Sequence, residues 1–191
     1  DRRYCRSFFQ RTRNPVRFFR LSDTRKETVS SVKHSVLIVM GSRSDLPQME
    51  PCMEMLTTFG IPFEVRILSA HRTPAAVLEV SAGAVDKGVA VIIAAAGGAA
   101  HLAGVLASST PLPVIGVPME TRVAGGMDSL LSTVQMPGGV PVATVAVGKA
   151  GAKNAAILAA QIIGTADGAV REKVVHFKKD QAEKVLEGSR L

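Results

Sequence analysis

From Ser35 to Glu187 the chain alternates short apolar, β-branched runs with longer segments of helical spacing. This alternation constrains the fold more than any other feature, because strand–helix–strand units form a parallel sheet with helices on its faces. Strands are expected at Ser35–Met40, Phe63–Leu68, Val89–Ala95, Pro113–Val117 and Val140–Val147. Helices are expected at Leu46–Phe59, Pro74–Asp86, Leu102–Ser109, Asp128–Gln135, Gly151–Ile163 and Asp167–Glu187. Gly60 with Pro62, Gly88, and Pro137-Gly138-Gly139 punctuate the pattern, and Thr73 is placed to cap the helix that Pro74 opens. Right-handed crossovers then predict a three-layer α/β/α fold with a doubly wound, five-stranded parallel sheet of flavodoxin-like order.

The distribution of charge divides the chain. The net charge is +7, and residues 1–35 hold ten Lys/Arg against three Asp/Glu, so the remaining residues carry thirteen of each. The expected organisation is a basic leader, residues 1–34, followed by one domain, residues 35–191. The domain is neutral and has no basic face studded with aromatics, which argues against nucleic-acid binding by that part. The leader is Arg-rich and poor in acids. It reads either as an organelle transit peptide or its remnant, or as a solvated extension or linker. Its Phe8-Phe9 and Phe18-Phe19 pairs suit either reading. No apolar run approaches the roughly 20 residues that span a bilayer, so no membrane partner is expected.

Cys5 and Cys52 lie in unrelated contexts and suggest no disulfide; Cys52 sits in an apolar helical pattern and is expected to be buried and inert. Around Ala155-Ala156 and Ala159-Ala160 the penultimate helix presents a smooth, small-residue surface. This suits either tight internal packing or a subunit contact, and its nearly all-apolar character favours the second.

Three strand-to-helix turns carry the chemistry. Gly41-Ser42-Arg43-Ser44-Asp45 lacks the spacing of a dinucleotide fingerprint, and Gly148-Lys149 fails as a P-loop because Ala150 and Ala143 occupy required positions. What remains at Gly41 is a glycine–serine turn at a helix N-terminus, where N–H groups and the helix dipole favour phosphate. Ser42 and Ser44 add hydroxyls, and Asp45 is a candidate acceptor for ribose hydroxyls; local capping by Ser44 or Asp45 is the simpler alternative. In Ser69-Ala70-His71-Arg72-Thr73-Pro74, Arg72 offers a bidentate phosphate contact. His71 is the candidate proton carrier, because an imidazole changes charge near neutral pH. The small residues Gly97, Gly98, Ala99 and Ala100 let the backbone approach a flat ring closely, and His101 either orients the ligand or caps locally. No metal site is expected, since the four histidines show no H-x-x-x-H pairing and the cysteines do not cluster.

These tracts carry a family resemblance. Val39–Asp45, Ser69–Pro74 and Ala96–Leu102, followed by Pro113–Pro118, Asp128–Ser132, Val134–Pro137 and Gly148–Ala152, resemble the N5-carboxyaminoimidazole ribonucleotide mutases of purine biosynthesis. The matches run in family order across about Ser35 to Gly164. The resemblance implies transfer of a carboxylate from N5 to ring carbon C4, by loss and recapture of CO2, with no metal or organic cofactor. It makes His71 the proton shuttle and Ser42, Asp45 and Arg72 the phosphate and ribose contacts, with Ser44, Ser69 and Ala70 nearby. Gly97 and Gly98, with Ala99 and His101, would line the ring and CO2 pocket. It further implies homo-octamers with sites near subunit boundaries. Arg72 favours the mutase over the related carboxylase, which usually has lysine there. Gly138 and the stretch Met119–Met127 depart from the common pattern.

Three alternatives keep distinct signatures. Direct carboxylation of the unmodified ribonucleotide by CO2 would proceed from bicarbonate alone. A flavin- or nucleotide-binding module would be a binding protein on the same fold. Nucleic-acid binding through the leader would be salt-sensitive. The expected location is the cytoplasm, or a plastid or other organelle if the leader is an import signal.

Overall fold

In the computed structural model the described residues are 34–189, so the readings of the leader, including its phenylalanine pairs and Cys5, lie outside them. Five strands form one sheet in the order β2-β1-β3-β4-β5, with every neighbouring pair parallel. They are β1 (Ser35–Met40), β2 (Phe63–Ile67), β3 (Val89–Ala96), β4 (Val114–Pro118) and β5 (Ala143–Thr144). The helices are α1 (Leu46–Phe59), preceded by a 3-10 turn at Arg43–Asp45, then α2 (Pro74–Ala82), α3 (Leu102–Ala107), α4 (Met127–Val134), α5 (Gly148–Ile163) and α6 (Gly168–Glu187). This is the predicted flavodoxin-like order, with the chain changing direction across the sheet between β1 and β3.

The two-residue period of the strands sorts their side chains into two cores. Val36, Ile38 and Met40 of β1 and Val91, Ile93 and Ala95 of β3 face α1, α5 and α6. Leu37, Val39, Ile92 and Ala94 face α2 and α3. Because both faces are covered, the central strands are continuously apolar rather than alternating.

The alanine face of α5 is an internal surface, which corrects the expectation of a subunit contact. Ala152, Ala155, Ala156, Ala159 and Ala160 are all fully buried within the one chain. They pack in the same core as Met49, Cys52, Leu56 and Phe59 of α1, where small side chains let two helices and the sheet approach closely. Burial also pushes the Cys52 thiol up to about 12, so it stays protonated and unreactive at neutral pH.

Other differences from expectation concern element ends. β5 is two residues long rather than eight. Pro141 offers no N–H to a ladder, and only Ile115↔Ala143 and Gly116↔Thr144 are paired. α2 stops at Ala82, where Gly83 ends it, and tight turns carry the chain through Ala84–Gly88. Thr73 occupies the N-cap position of α2 without a side-chain cap bond; its hydroxyl is used in the preceding turn.

Gly116 shows how tightly β4 meets the helices behind it. A Cβ there would collide with the Thr133 methyl and lie 2.9 Å from Val142 Cγ1. Gly116→Ala should therefore lower unfolding stability by about 1–3 kcal/mol, the usual cost of overpacking. Chemical denaturation checks this, and an unchanged midpoint would contradict the packing.

Candidate active site

The C-terminal ends of β1, β2, β3 and β4 surround one cleft of about 510 Å³. It lies across the change of direction between β1 and β3, where open α/β sheets leave a crevice for ligands.

At the end of β1, Gly41 N–H still bonds Ala95 O at 2.9 Å, so the turn begins while the strand remains paired. Ser42 then caps the 3-10 turn. Its Oγ accepts from Ser44 N–H at 3.3 Å, and its own N–H donates to Asp45 Oδ2 at 3.0 Å. The Ser44 hydroxyl donates to Ser42 Oγ at 2.8 Å. Capping and cleft lining are therefore not alternatives, because Ser42, Ser44 and Asp45 do both. Burial raises the Asp45 pKa, opposed by hydrogen bonds from the Ser42 N–H and the Ser44 hydroxyl.

At the end of β2 the Thr73 hydroxyl closes the turn on itself. It accepts from Ser69 N–H at 2.9 Å and donates to Ser69 O at 3.0 Å, while Arg72 N–H donates to Ser69 Oγ at 3.3 Å. This holds Ala70, His71 and Arg72 at the cleft. Arg72 Nη2 reaches across to Gly41 O at 3.3 Å, setting a guanidinium beside the β1 turn. With Ser42 and Ser44 it forms a donor-rich wall suited to an anion.

At the end of β3, Gly97 and Ala99 line the cleft, whereas Gly98 is held from behind. Gly98 has φ +68°, its N–H donates to Ser129 Oγ at 2.9 Å, and its carbonyl accepts from Ser132 Oγ at 3.3 Å. His101 opens α3 without capping it through its side chain. Instead, its Nδ1 lies 2.9 Å from His71 Nε2, with the rings edge-to-face at 4.9 Å. One ring must donate and the other accept. Thirty residues separate this pair in sequence, so no local spacing motif announces it. Its outer side borders a second hollow lined by Gly104, Val105, Leu131 and Met136.

Of the residues predicted from sequence, Ser42, Ser44, Asp45, Ser69, Ala70, His71, Arg72, Gly97 and Ala99 line the cleft, while Gly98 and His101 support it. The sequence marks Met119–Met127 only as a departure from the family pattern, and the fourth wall, Met119, Glu120 and Thr121 at the end of β4, carries no site assignment from it. Its signal was available, since these residues follow a buried strand as the other three turns do. Glu120 N–H is held by Gln48 Oε1 at 3.0 Å. Among the described residues no group of three or more His, Cys, Asp or Glu could hold a metal ion.

Asp45 yields a prediction with a definite sign. Its folded pKa is raised above the ordinary 3.8, so the folded state holds the proton more tightly than the unfolded chain. Ionisation then costs stability as pH climbs from about 3.8 through the raised value, and the cost is complete above it. Without ligand, Asp45→Asn should melt no lower than the parent at pH 7, and any advantage should shrink as the solution is acidified. Melting curves across pH check this; a variant much less stable at pH 7 would contradict it.

Comparison with known proteins agrees with this architecture. A family model described as AIR carboxylase matches residues 35–184. A protein of Aliivibrio fischeri named N5-carboxyaminoimidazole ribonucleotide mutase is 55% identical over 150 residues, covering 78% of this chain and 93% of its own. One of Pyrococcus horikoshii with the same name is 51% identical over 160 residues, covering 84% and 89%. The crystal structure of Treponema denticola PurE superposes with a TM-score of 0.71 at 31% identity, covering 80% of this chain and 94% of that one. By its sequence across the whole domain and by its fold, the chain belongs to the AIR carboxylase family.

Proposed function

We propose that this protein is an N5-carboxyaminoimidazole ribonucleotide mutase of purine biosynthesis. The observation that carries the reading is His71, set in a cleft that Ser42, Ser44 and Arg72 also line. Relatives at 51–55% identity bearing that name support it. The donor-rich wall takes the phosphate, and Asp45 accepts from ribose. Gly97 and Ala99 pass close beneath the ring.

The reaction needs one proton moved twice. As the N5–carboxylate bond breaks and CO2 leaves, N5 must gain a proton. As C4 attacks CO2, C4 must lose one. A single imidazole balances both steps, acting first as the acid and then as the base. In this reading the Nε2 contact to His101 fixes the His71 ring and leaves Nδ1 as the shuttling nitrogen. His101 is thus a positioning residue: its Nδ1 accepts from the His71 Nε2–H in both charge states of the ring.

We place the working assembly as a homo-octamer. The family resemblance suggests it, and apolar side chains left exposed on one chain support it, including Met127, Leu131 and Val134 of α4 and Val175, Val185 and Leu186 of α6. The reaction is assigned to the cytoplasm, or to an organelle if the leader directs import. A second reading, carboxylation of the unmodified ribonucleotide by CO2, is favoured by the description of the matching family.

Purified protein supplied with N5-carboxyaminoimidazole ribonucleotide should form the C4-carboxylated product quickly. A parallel sample given the unmodified ribonucleotide and low bicarbonate should form little; efficient conversion there would favour the second reading. His71→Asn should keep its fold and ligand binding while losing about 10²–10⁴-fold in turnover, the range for a missing acid–base group. Retained turnover would sink the shuttle assignment.

A further inference from the structure

One hydrogen-bonded network ties the fourth wall of the cleft to the third. Its centre is Asp128, in the first turn of α4. Asp128 Oδ1 accepts from the Thr121 hydroxyl at 2.6 Å and from Ser129 N–H at 2.9 Å. Thr121 Oγ1 also accepts from Val123 N–H at 3.3 Å. The next residue, Ser129, and Ser132 one turn further along grip Gly98 by its N–H and its carbonyl, as described above. Ser132 also anchors itself to Asp128 O at 2.7 Å. Loop and turn are thus fastened to one end of one short helix.

The fastening has a geometric consequence inside the cleft. A Cβ built on Gly97 would lie 3.3 Å from Met119 Cβ and 3.4 Å from Thr121 Cγ2. The Thr121 methyl is therefore nearly in contact with the Gly97 backbone, and the two walls meet there. Ala96, Leu102 and Met119 complete an apolar corner of the same cleft. The far end of the segment carrying Thr121 turns through three consecutive positive-φ residues, Ala124 at φ 44°, Gly125 at 67° and Gly126 at 103°, and Gly126 and Met127 N–H close that turn on Val123 O at 3.0 and 3.1 Å. Ala124 adopts that conformation at a cost, and beyond the turn the Thr121 end is joined to α4 through the Asp128 carboxylate. The Thr121 hydroxyl bond holds the Asp128 carboxyl below the usual carboxylate range, as a bond that favours the ionised acceptor should.

We propose that Asp128 is a positioning residue that latches the Met119–Met127 loop through Thr121, closing the apolar corner that retains CO2 between the two halves of the reaction. The proposal rests on the mutase reading above. It differs in its consequence from a plain stabilising role of a carboxylate in the first turn of α4. Loss of a favourable first-turn charge weakens the fold, whereas loss of the latch opens an escape route for a small apolar molecule. Once CO2 escapes, the substrate is left as the unmodified ribonucleotide.

The test counts products. Protein is given N5-carboxyaminoimidazole ribonucleotide in bicarbonate-depleted buffer, and the C4-carboxylated and unmodified ribonucleotides are both quantified, with a protein-free sample subtracted. The parent should yield chiefly the C4 product. Asp128→Ala and Thr121→Val should raise the share of unmodified ribonucleotide several-fold or more. Thr121→Val preserves the methyl contact and volume while deleting the hydroxyl, so it carries the test alone if Asp128→Ala fails to fold. Asp128→Asn retains an acceptor at Oδ1 and should restore most of the parental partition. Slower variants with an unchanged product ratio would overturn the latch and leave Asp128 with a purely structural role in the first turn of α4. A parent that makes no C4 product would instead overturn the mutase reading, and the latch with it.

Discussion

The pairing of β1 with a parallel neighbour on each side is the constraint from which the cleft follows. β1 ends at Met40, and Leu68 N–H bonds its carbonyl at 2.9 Å on the β2 side. On the other side Gly41 N–H bonds Ala95 O at 2.9 Å. Three strand ends are thereby held level, so three turns that are distant in sequence open onto one space. Those bonds belong to the backbone of β1, which is buried on both faces, where leaving a polar group unpaired costs about 1–3 kcal/mol. The ladder is therefore hard to shift by a residue, and a shift would also exchange the two cores.

The turns divide the chemical work by the residues they can present. The β1 and β2 turns supply hydroxyls and a guanidinium, whose donors suit a phosphate. The β3 turn supplies small residues and almost no polarity, which suits a ring and a nonpolar gas. The β4 turn closes the remaining side. His71 stands where the polar and apolar halves meet, and its partner His101 comes from the apolar half. A group that must protonate nitrogen and then deprotonate carbon has to reach both halves, and the proposed shuttle depends on that placement.

Much of this was legible in the sequence. Strand identity and order followed from β-branched runs separated by helix-length segments, and the β1 and β2 turns stood out because polar, glycine-bearing tracts directly followed apolar strands. The parts that were not legible depend on distance in sequence or on what covers a surface. The pairing of His71 with His101 is a tertiary contact with no local signature. The alanine face of α5 looks the same in sequence whether a subunit or α1 covers it. β5 reads as eight residues because its apolar run is continuous, but Pro141 and the sheet edge leave it only two paired positions. Met119–Met127 stands out in sequence only as a departure from the family pattern, because it has no glycine–serine or histidine motif to assign it a wall of the cleft, although its place after β4 marks it.

The most direct test of the account follows the carboxylate itself. Substrate labelled with ¹³C in the N5-carboxylate is turned over in unlabelled bicarbonate, and label is measured in the C4 product by mass spectrometry. A cleft that holds CO2 while one imidazole moves the proton predicts that nearly all product molecules keep the label. Product carrying mainly unlabelled carbon would show that CO2 exchanges with solvent before C4 attacks, and would contradict the account.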